Sequence, residues 1–344
     1  MTYSSGIIVP SQPLMRWRHA AMVVGADARQ AMLCVDMEES TVRAARPDLD
    51  LRVWAEFGGS AMRELAGVLS DLGMANGRIG LELAYLPARD FAELERLLPA
   101  ATFVAADELF ARCRRVKTPS EMDRLGRLAR IADRSIGAAC ASASAGSTEM
   151  DLAAALTRSV YEGGAQQFKL LIVATGERSQ LPNVGPTTRR LEPGDICRIE
   201  IFAVSDGYHA GVCRTAVVGE PSPEAIAVYR HLAENRQVVL DAMRPGVATA
   251  EVYRRYRAHF DRLHLAPISF VGHSIGLDLH EAPYLGAFDT TVLEPGLAMT
   301  IEPLAYRTPY GFGMQIKDMV AVGEHGTTVL SDVTATDELV KIEA

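Results

Sequence analysis

The stretch Pro193 to Val218, PGDICRIEIFAVSDGYHAGVCRTAVV, constrains this chain more than any other. Ile196 to Val204 and Tyr208 to Val217 are β-rich runs, and Ser205-Asp206-Gly207 between them is a turn signal. The pattern predicts a β-hairpin. Residues facing each other near such a turn put side chains into one shared site. Positions 200 and 211 form a candidate pair, and later stretches must supply the rest.

With 344 residues the chain has room for two domains. A boundary near Val116 gives a small domain over 1–116 and a larger one over 117–344. The small domain reads as α/β. Ala31 to Val35 and Arg78 to Leu83 read as strands, Ser60 to Leu72 and Asp90 to Leu98 as helices, and Ala101 to Val104 as extended. Such alternation predicts a partly parallel sheet. No glycine-rich phosphate loop follows these strands. Arg16, Trp17 and Arg18 form a basic-aromatic cluster, either a solvated edge or a carboxylate-binding arm.

Past the boundary, Thr118-Pro119-Ser120-Glu121 is a capping box with proline at the first helical position, and helical spacing continues to about Cys140. Thr148 with Asp151 opens a second helix that ends at Gly163-Gly164. Phe168 to Ala174 reads as a buried strand. After the hairpin, Ser222-Pro223 starts a helix to Met243, and Thr249 as N-cap opens another to about Leu263. Short strands follow at Ala298 to Ala305, Met314 to Val322 and Thr327 to Leu330.

Charge and cysteine usage narrow the partners. A formal net charge of -8 argues against nucleic acid or an anionic membrane as the main partner. Cys34, Cys113, Cys140, Cys197 and Cys213 form no CxxC pair, and the start MTYSSGIIVPSQPLMRW lacks a signal-peptide core. Reduced thiols in a cytoplasmic protein are expected.

Three segments together carry a family resemblance: GDICRIEIFAVSDGYHAGVCRT, then VGHSIGLDLHEAP, then MTIEPLAY followed by GMQIKDMVAV. From about Val116 to the end the chain resembles the pita-bread family of methionine aminopeptidases, prolidases, aminopeptidase P and creatinase. The first domain resembles the smaller domain of creatinase and prolidase, with its opening strand and helix shortened. The resemblance implies an α+β architecture: a pita-bread catalytic domain behind a small α/β domain. It also implies a homodimer.

In the metallopeptidases of this family five residues hold two divalent ions. The first aspartate position holds Glu200 here, and the second, eleven residues on, holds Gly211. The histidine is present as His273 and the first glutamate as Glu302, but the second glutamate position holds Lys317. The family's Pro-His pair ahead of the hairpin reads Pro182-Asn183. His280 and Glu281 match the substrate-side histidine segment, and Arg214 matches a supporting arginine.

Two divalent ions need several oxygen ligands, including bridging carboxylates. Gly211 offers no side chain, and Lys317 offers a cation where a cation should bind. The economical expectation is that an ammonium between Glu200 and Glu302 replaces the metal charge. No metal and no other cofactor is then expected. Creatinase is the family precedent for metal-free chemistry by side chains, and GHSIG here resembles its GHSFG segment. The resemblance implies His273, His280, Glu302, Lys317 and Glu200 as catalytic groups, with Asn183, Glu281 and Arg214 beside the substrate. Alternation along the second hairpin strand puts His209 on the face of Gly211, from where it enters the vacated space. Cys213 is a buried inert thiol or a nucleophile.

Three functions stay open. The first is a metal-independent enzyme cleaving a C–N bond in a small amino-acid-like or guanidino-like molecule. The second is an inactive relative binding a ligand or protein in the old cleft. The third is an Xaa-Pro peptidase-like metal enzyme with a rebuilt site.

Overall fold

The polypeptide separates into two units, Met1–Arg114 and Arg115–Ala344. The computed structural model describes residues 2–9, 15 and 17–344.

The first unit runs α1 (Thr2–Ser5), β1 (Ala21–Val24), β2 (Gln30–Val35), α2 (Glu39–Ala45), β3 (Asp50–Trp54), α3 (Ala61–Asp71), β4 (Arg78–Leu81), α4 (Ala88–Leu97) and β5 (Thr102–Ala105), and ends in α5 (Asp107–Arg115). β1 and β2 pair antiparallel, β2 and β3 parallel, and β4 and β5 parallel. Ser60 caps α3 by accepting the Arg63 N–H. Met62, Leu65, Ala66 and Leu69 recur at helical spacing and bury with Leu33, Val35 and Trp54. Strand β3 escapes a sequence reading because its charges are satisfied locally: Arg52 reaches Asp50 at 3.0 Å and Asp71 at 2.6 Å. Of the basic-aromatic cluster, Arg16 lies outside the described residues. Arg18 grips Glu56 through two bonds of 2.8 Å, and Trp17 Nε1 donates to the same carboxylate at 3.1 Å. The cluster does hold a carboxylate, and that carboxylate is the unit's own.

The second unit repeats one order twice, a helix pair followed by antiparallel strands. The first half is α6 (Pro119–Ala141), α7 (Glu149–Glu162), β6 (Gln167–Thr175), β7 (Ile196–Ser205) and β8 (Tyr208–Val218). The second half is α8 (Pro223–Ala242), α9 (Thr249–Phe260), β9 (Phe270–Ser274), β10 (Glu281–Gly286), β11 (Ala298–Ile301), β12 (Leu304–Ala305), β13 (Met314–Gln315), β14 (Asp318–Val322) and β15 (Thr327–Val329). The last strand, β16 (Val340–Ile342), returns to pair parallel with β8. The expected capping box forms between Thr118 and Glu121, and the second start signal, Thr148 with Asp151, closes into a capping box as well. Thr249, expected as a cap, is instead the first helical residue after Ala248, and its hydroxyl donates to the Asp289 carbonyl at 2.6 Å.

The hairpin is the spine of this unit. Asp206 and Gly207 both take positive φ, 50° and 79°, as a tight primed turn requires. One face of β7 and β8, carrying Ile199, Ile201, Val212 and Ala216, buries with Leu125, Leu128 and Ile136 of α6 and Leu152 and Leu156 of α7. Each valine, leucine or isoleucine among them contributes about 1.5–3 kcal/mol on burial. The opposite face looks toward the second half, where Val228 and Leu232 of α8 and Tyr256 and Phe260 of α9 pack with Val271, Met299, Ile301 and Val320. Two expected long strands are each broken, between β11 and β12 at Glu302-Pro303 and between β13 and β14 at Ile316-Lys317. Proline has no N–H to continue a ladder. The breaks carry two of the predicted site residues. Among the described residues no helix is long and apolar enough to cross a membrane.

Candidate active site

Residue 317 joins the two sheets. Its N–H and carbonyl pair with the carbonyl and N–H of Cys213 at 3.0 and 3.1 Å. That backbone bridge aims the Lys317 side chain between two carboxylates. Its Nζ lies 3.0 Å from Glu200 Oε1 and 3.1 Å from Glu302 Oε2, and the residue is only 2% exposed. Burial disfavours an ammonium, but Glu200 and Glu302 outweigh it and hold Lys317 above the usual lysine range. The charged form persists at neutral pH.

The hairpin register corrects one expectation. Glu200 faces Cys213, and Gly211 faces Phe202; positions 200 and 211 are diagonal neighbours on one face. The Phe202 ring fills the room beside Gly211. A Cβ built on Gly211 falls 2.2 Å from Phe202 Cε1. The ring also lies beneath Lys317, with Nζ 4.5 Å from its centroid. Burial raises the Cys213 thiol pKa far up, so Cys213 is inert.

His273 sits behind Glu302, fully buried on β9. Its Nδ1 donates to the Ser274 carbonyl at 2.8 Å, which leaves Nε2 as an acceptor. That nitrogen faces Glu302 Oε1 at 3.4 Å, and neither atom has another partner among the described residues. Two lone pairs pointed at each other are unfavourable unless a proton lies between them. Burial, then Lys317 and His280, push His273 well below the usual imidazole range. Burial raises Glu302 against the opposing pull of Lys317. The opposite directions of the two shifts favour Glu302 over His273 as the holder of a proton shared between them. His280 stacks on His273 with ring centroids 3.7 Å apart and planes 16° from parallel. Desolvation and Lys317 push His280 down to about 4, so both imidazoles are neutral at pH 7.

Above the ammonium lies a cavity of about 250 Å³. Glu200, Glu302 and Lys317 line it together with Phe202, Phe270, His280, Tyr306, Gln315 and Asn183. Arg198 shapes its mouth. This fully buried guanidinium donates to the Leu181 and Pro182 carbonyls, which fixes the segment leading to Asn183. It also donates to Gln315 Oε1 at 3.1 Å, and Gln315 Nε2 passes the chain on to Glu302 Oε2 at 3.3 Å. Sequence reasoning missed Arg198, Phe202, Tyr306 and Gln315. The available signal for Arg198 was a charge inside an apolar strand, two residues before Glu200 and on its face.

Three residues expected beside a substrate lie elsewhere. His209 does not enter the space near Gly211. Its N–H and Nδ1 both meet the Gly276 carbonyl, at 2.8 and 3.2 Å, so it anchors the loop ahead of β10. Glu281 is buried in an ion pair with Lys117 at 2.9 Å. Arg214 points to the other face of β8, between Asp133 at 3.0 Å and Asp318 at 2.9 Å, and also donates to the Lys317 carbonyl at 2.8 Å. It supports the backbone of Lys317 from behind. Glu200, Asn183, His280, Glu302 and Lys317 line the cavity, and His273 backs it.

The dinuclear metal centre implied by the family resemblance does not fit these side chains. Lys317 Nζ occupies the space between the two remaining carboxylates, and Phe202 occupies the space of the second aspartate. A pair of ions would meet an ammonium and an aromatic ring where it needs bridging oxygens.

Comparison with known proteins agrees with this architecture. Residues 123–324 match the family Metallopeptidase family M24, and residues 1–116 match the Creatinase/Prolidase N-terminal domain. The chain is 30% identical over 258 residues to the Xaa-Pro dipeptidase of Pyrococcus furiosus, spanning 74% of this chain and 73% of that protein. It is 30% identical over 321 residues to the probable dipeptidase PepE of Mycobacterium bovis, spanning 92% of this chain and 84% of that one. Among solved structures, a dipeptidase from Pyrococcus horikoshii OT3 superposes with a TM-score of 0.86 at 25% identity, covering 100% of this chain and 93% of the other. The X-Pro aminopeptidase from Thermotoga maritima MSB8 shares the fold with a TM-score of 0.84 at 23% identity, covering 94% and 88%. The larger unit is thus the expected pita-bread fold, preceded by a creatinase-like N-terminal unit.

Proposed function

The chain belongs to metallopeptidase family M24, and on that premise we propose that it hydrolyses the C–N bond of a small dipeptide-like substrate. The substrate class follows the relatives, a probable dipeptidase and an Xaa-Pro dipeptidase. They favour the peptidase reading over a guanidino-like substrate. The observation that carries the mechanism is the buried Lys317 ammonium between Glu200 and Glu302, at the floor of a cavity sized for a small molecule.

In this reading Lys317 is a fixed positive charge, pre-oriented toward negative charge developing on the scissile carbonyl oxygen. Neutral His280 takes a proton from the attacking water. The proton held between Glu302 and His273 passes to the leaving nitrogen as the C–N bond breaks. The nascent acid loses its proton to the amine, so the products leave as a carboxylate and an ammonium, and the proton on His280 returns through solvent to Glu302.

One observation favours a second reading. His273 Nε2 and Glu302 Oε1 are buried, unpartnered and 3.4 Å apart, as two ligands of a single ion would be. Against it stands the ammonium 3.1 Å from the other oxygen of Glu302. The test is to assay Xaa-Pro and other dipeptides, together with guanidino acids, with chelator and then with added Mn²⁺ or Zn²⁺. Dipeptide turnover that survives chelation supports the ammonium mechanism. Turnover that appears only with one equivalent of metal supports the single ion. A ligand that raises the melting temperature without turnover supports a binding protein. A homodimer, as the family resemblance implies, belongs to the same proposal, and light scattering tests it.

A further inference from the structure

A second group of ligand-type side chains lies on the α8–α9 helix pair and shares no residue with the cleft. His231 and Glu234 are one turn apart on α8, and His259 projects from α9. The two imidazoles stack with centroids 4.6 Å apart and planes 18° from parallel. Glu234 Oε2 lies 3.6 Å from His259 Nε2 and 4.0 Å from His231 Nδ1. One ligand atom from each residue falls within 4.8 Å of the others. The ring nitrogens turned away from Glu234, His231 Nε2 and His259 Nδ1, are buried and have no hydrogen-bond partner among the described residues.

We propose that His231, Glu234 and His259 form a site for one borderline divalent cation of the Zn²⁺ class. Two imidazoles and one carboxylate are the donor set of such ions, whereas Mg²⁺ and Ca²⁺ require a shell of oxygens. Ligand atoms around a tetrahedral ion at about 2.0–2.1 Å stand roughly 3.3 Å apart. The present separations close to that value by a tilt of each ring and an inward swing of Glu234. The carboxylate is free to swing, because its side chain is 55% exposed, while the two histidine side chains are only 11% and 15% exposed. Desolvation lowers both imidazole pKa values, which keeps their lone pairs available at neutral pH. Water fills the fourth, solvent-facing position, as at open zinc sites. The ion cross-links two helices that touch at His231 and His259, so it stabilises the folded chain by linkage.

The experiment uses the full-length untagged protein, stripped with chelator and titrated with Zn²⁺ alone, with Co²⁺ absorption reporting coordination. The expected result is one equivalent that raises the melting temperature. His259→Gln should weaken that binding by more than about 10-fold, the least that loss of even a supporting partner costs a metal site. Glu234→Gln, an exposed change that leaves the helices intact, should weaken it as well. His273→Gln in the cleft should leave it in place. The proposal is overturned if the wild type takes up no Zn²⁺. It is equally overturned if the bound equivalent survives His259→Gln and Glu234→Gln but disappears with His273→Gln.

Discussion

An ammonium shared by two carboxylates cannot be removed without stranding its partners. Lys317→Met keeps the stem and its contact with Phe202 but leaves Glu200 and Glu302 facing each other in a buried site. Loss of one partner from such a group costs about 3–5 kcal/mol, readable in a denaturant titration. Glu200 should then be left buried without its counter-charge, and dipeptide turnover should be lost. Lys317→Arg keeps the charge in a planar shape and should retain stability better than activity. Unchanged melting and normal turnover in Lys317→Met would remove Lys317 from the site altogether. Much of this cluster was legible in the sequence, because Lys317, Glu302 and His273 occupy motif positions. Arg198 was not, since no motif position marks it and a buried arginine in a strand is normally a poor bet. His209, Glu281 and Arg214 were misplaced for one shared reason. Residue spacing gives the face of a strand, but which partner satisfies a buried polar group depends on chain far away, here Gly276, Lys117, Asp133 and Asp318.

The hairpin links these residues into one element, and its register decides what can be restored. The simple reversal of the substitutions is Gly211→Asp with Lys317→Glu, which returns two carboxylates to the family pattern. The register places Phe202 directly opposite Gly211, and even a Cβ there would fall 2.2 Å from the ring. Gly211→Asp alone should therefore destabilise by overpacking, about 1–3 kcal/mol before its charge is considered. The double variant should fail to bind Mn²⁺ or Co²⁺ stoichiometrically. Adding Phe202→Ala vacates the ring volume, and the triple variant should gain metal by elemental analysis after dialysis. Stoichiometric metal in the double variant would show that Phe202 moves aside freely. The hairpin itself was plain from its two β-rich runs and turn. Its register was not, because Ser205-Asp206-Gly207 reads as a three-residue turn, whereas Ser205 pairs with Tyr208 across the two residues Asp206-Gly207. Of the two breaks, the one after Ile301 carries a signal in Pro303, and the one before Asp318 follows from the bridge of Lys317 to Cys213, which no local pattern shows.

Across the whole molecule the order of elements was readable from caps, turns and helical spacing, and the pairing of distant halves was not. That pairing buries several imidazoles in neutral form, and it gives the folded chain a defined response to acid. Desolvation lowers the pKa of His209, of His273 and of His280, the last to about 4. Unfolded imidazoles titrate near 6.5, roughly the model-peptide value. Below that pH the unfolded chain binds protons that the folded chain refuses, so stability falls as pH drops toward the folded pKa values. Glu302 acts in the opposite sense. Its pKa is raised by burial, so between about 4.3 and its folded value the folded state holds the extra proton, and acidification favours folding there. His231 and His259 are lowered as well, and one carboxyl against five imidazoles leaves the net slope positive. Lys317 has a raised pKa, so its contribution is fully present below an unfolded lysine value of about 10.4 and is lost only above it. The melting temperature should therefore decline from pH 7 to pH 5 and show no Lys317-linked loss between pH 7 and pH 10. Substituting His209 and His280 together by Gln should flatten the acid slope, because it removes two of the refused protons. A melting temperature that holds or rises from pH 7 to pH 5 would mean that folding does not lower these imidazole pKa values, and the neutral His273–His280 pair assigned to the site would fall with it.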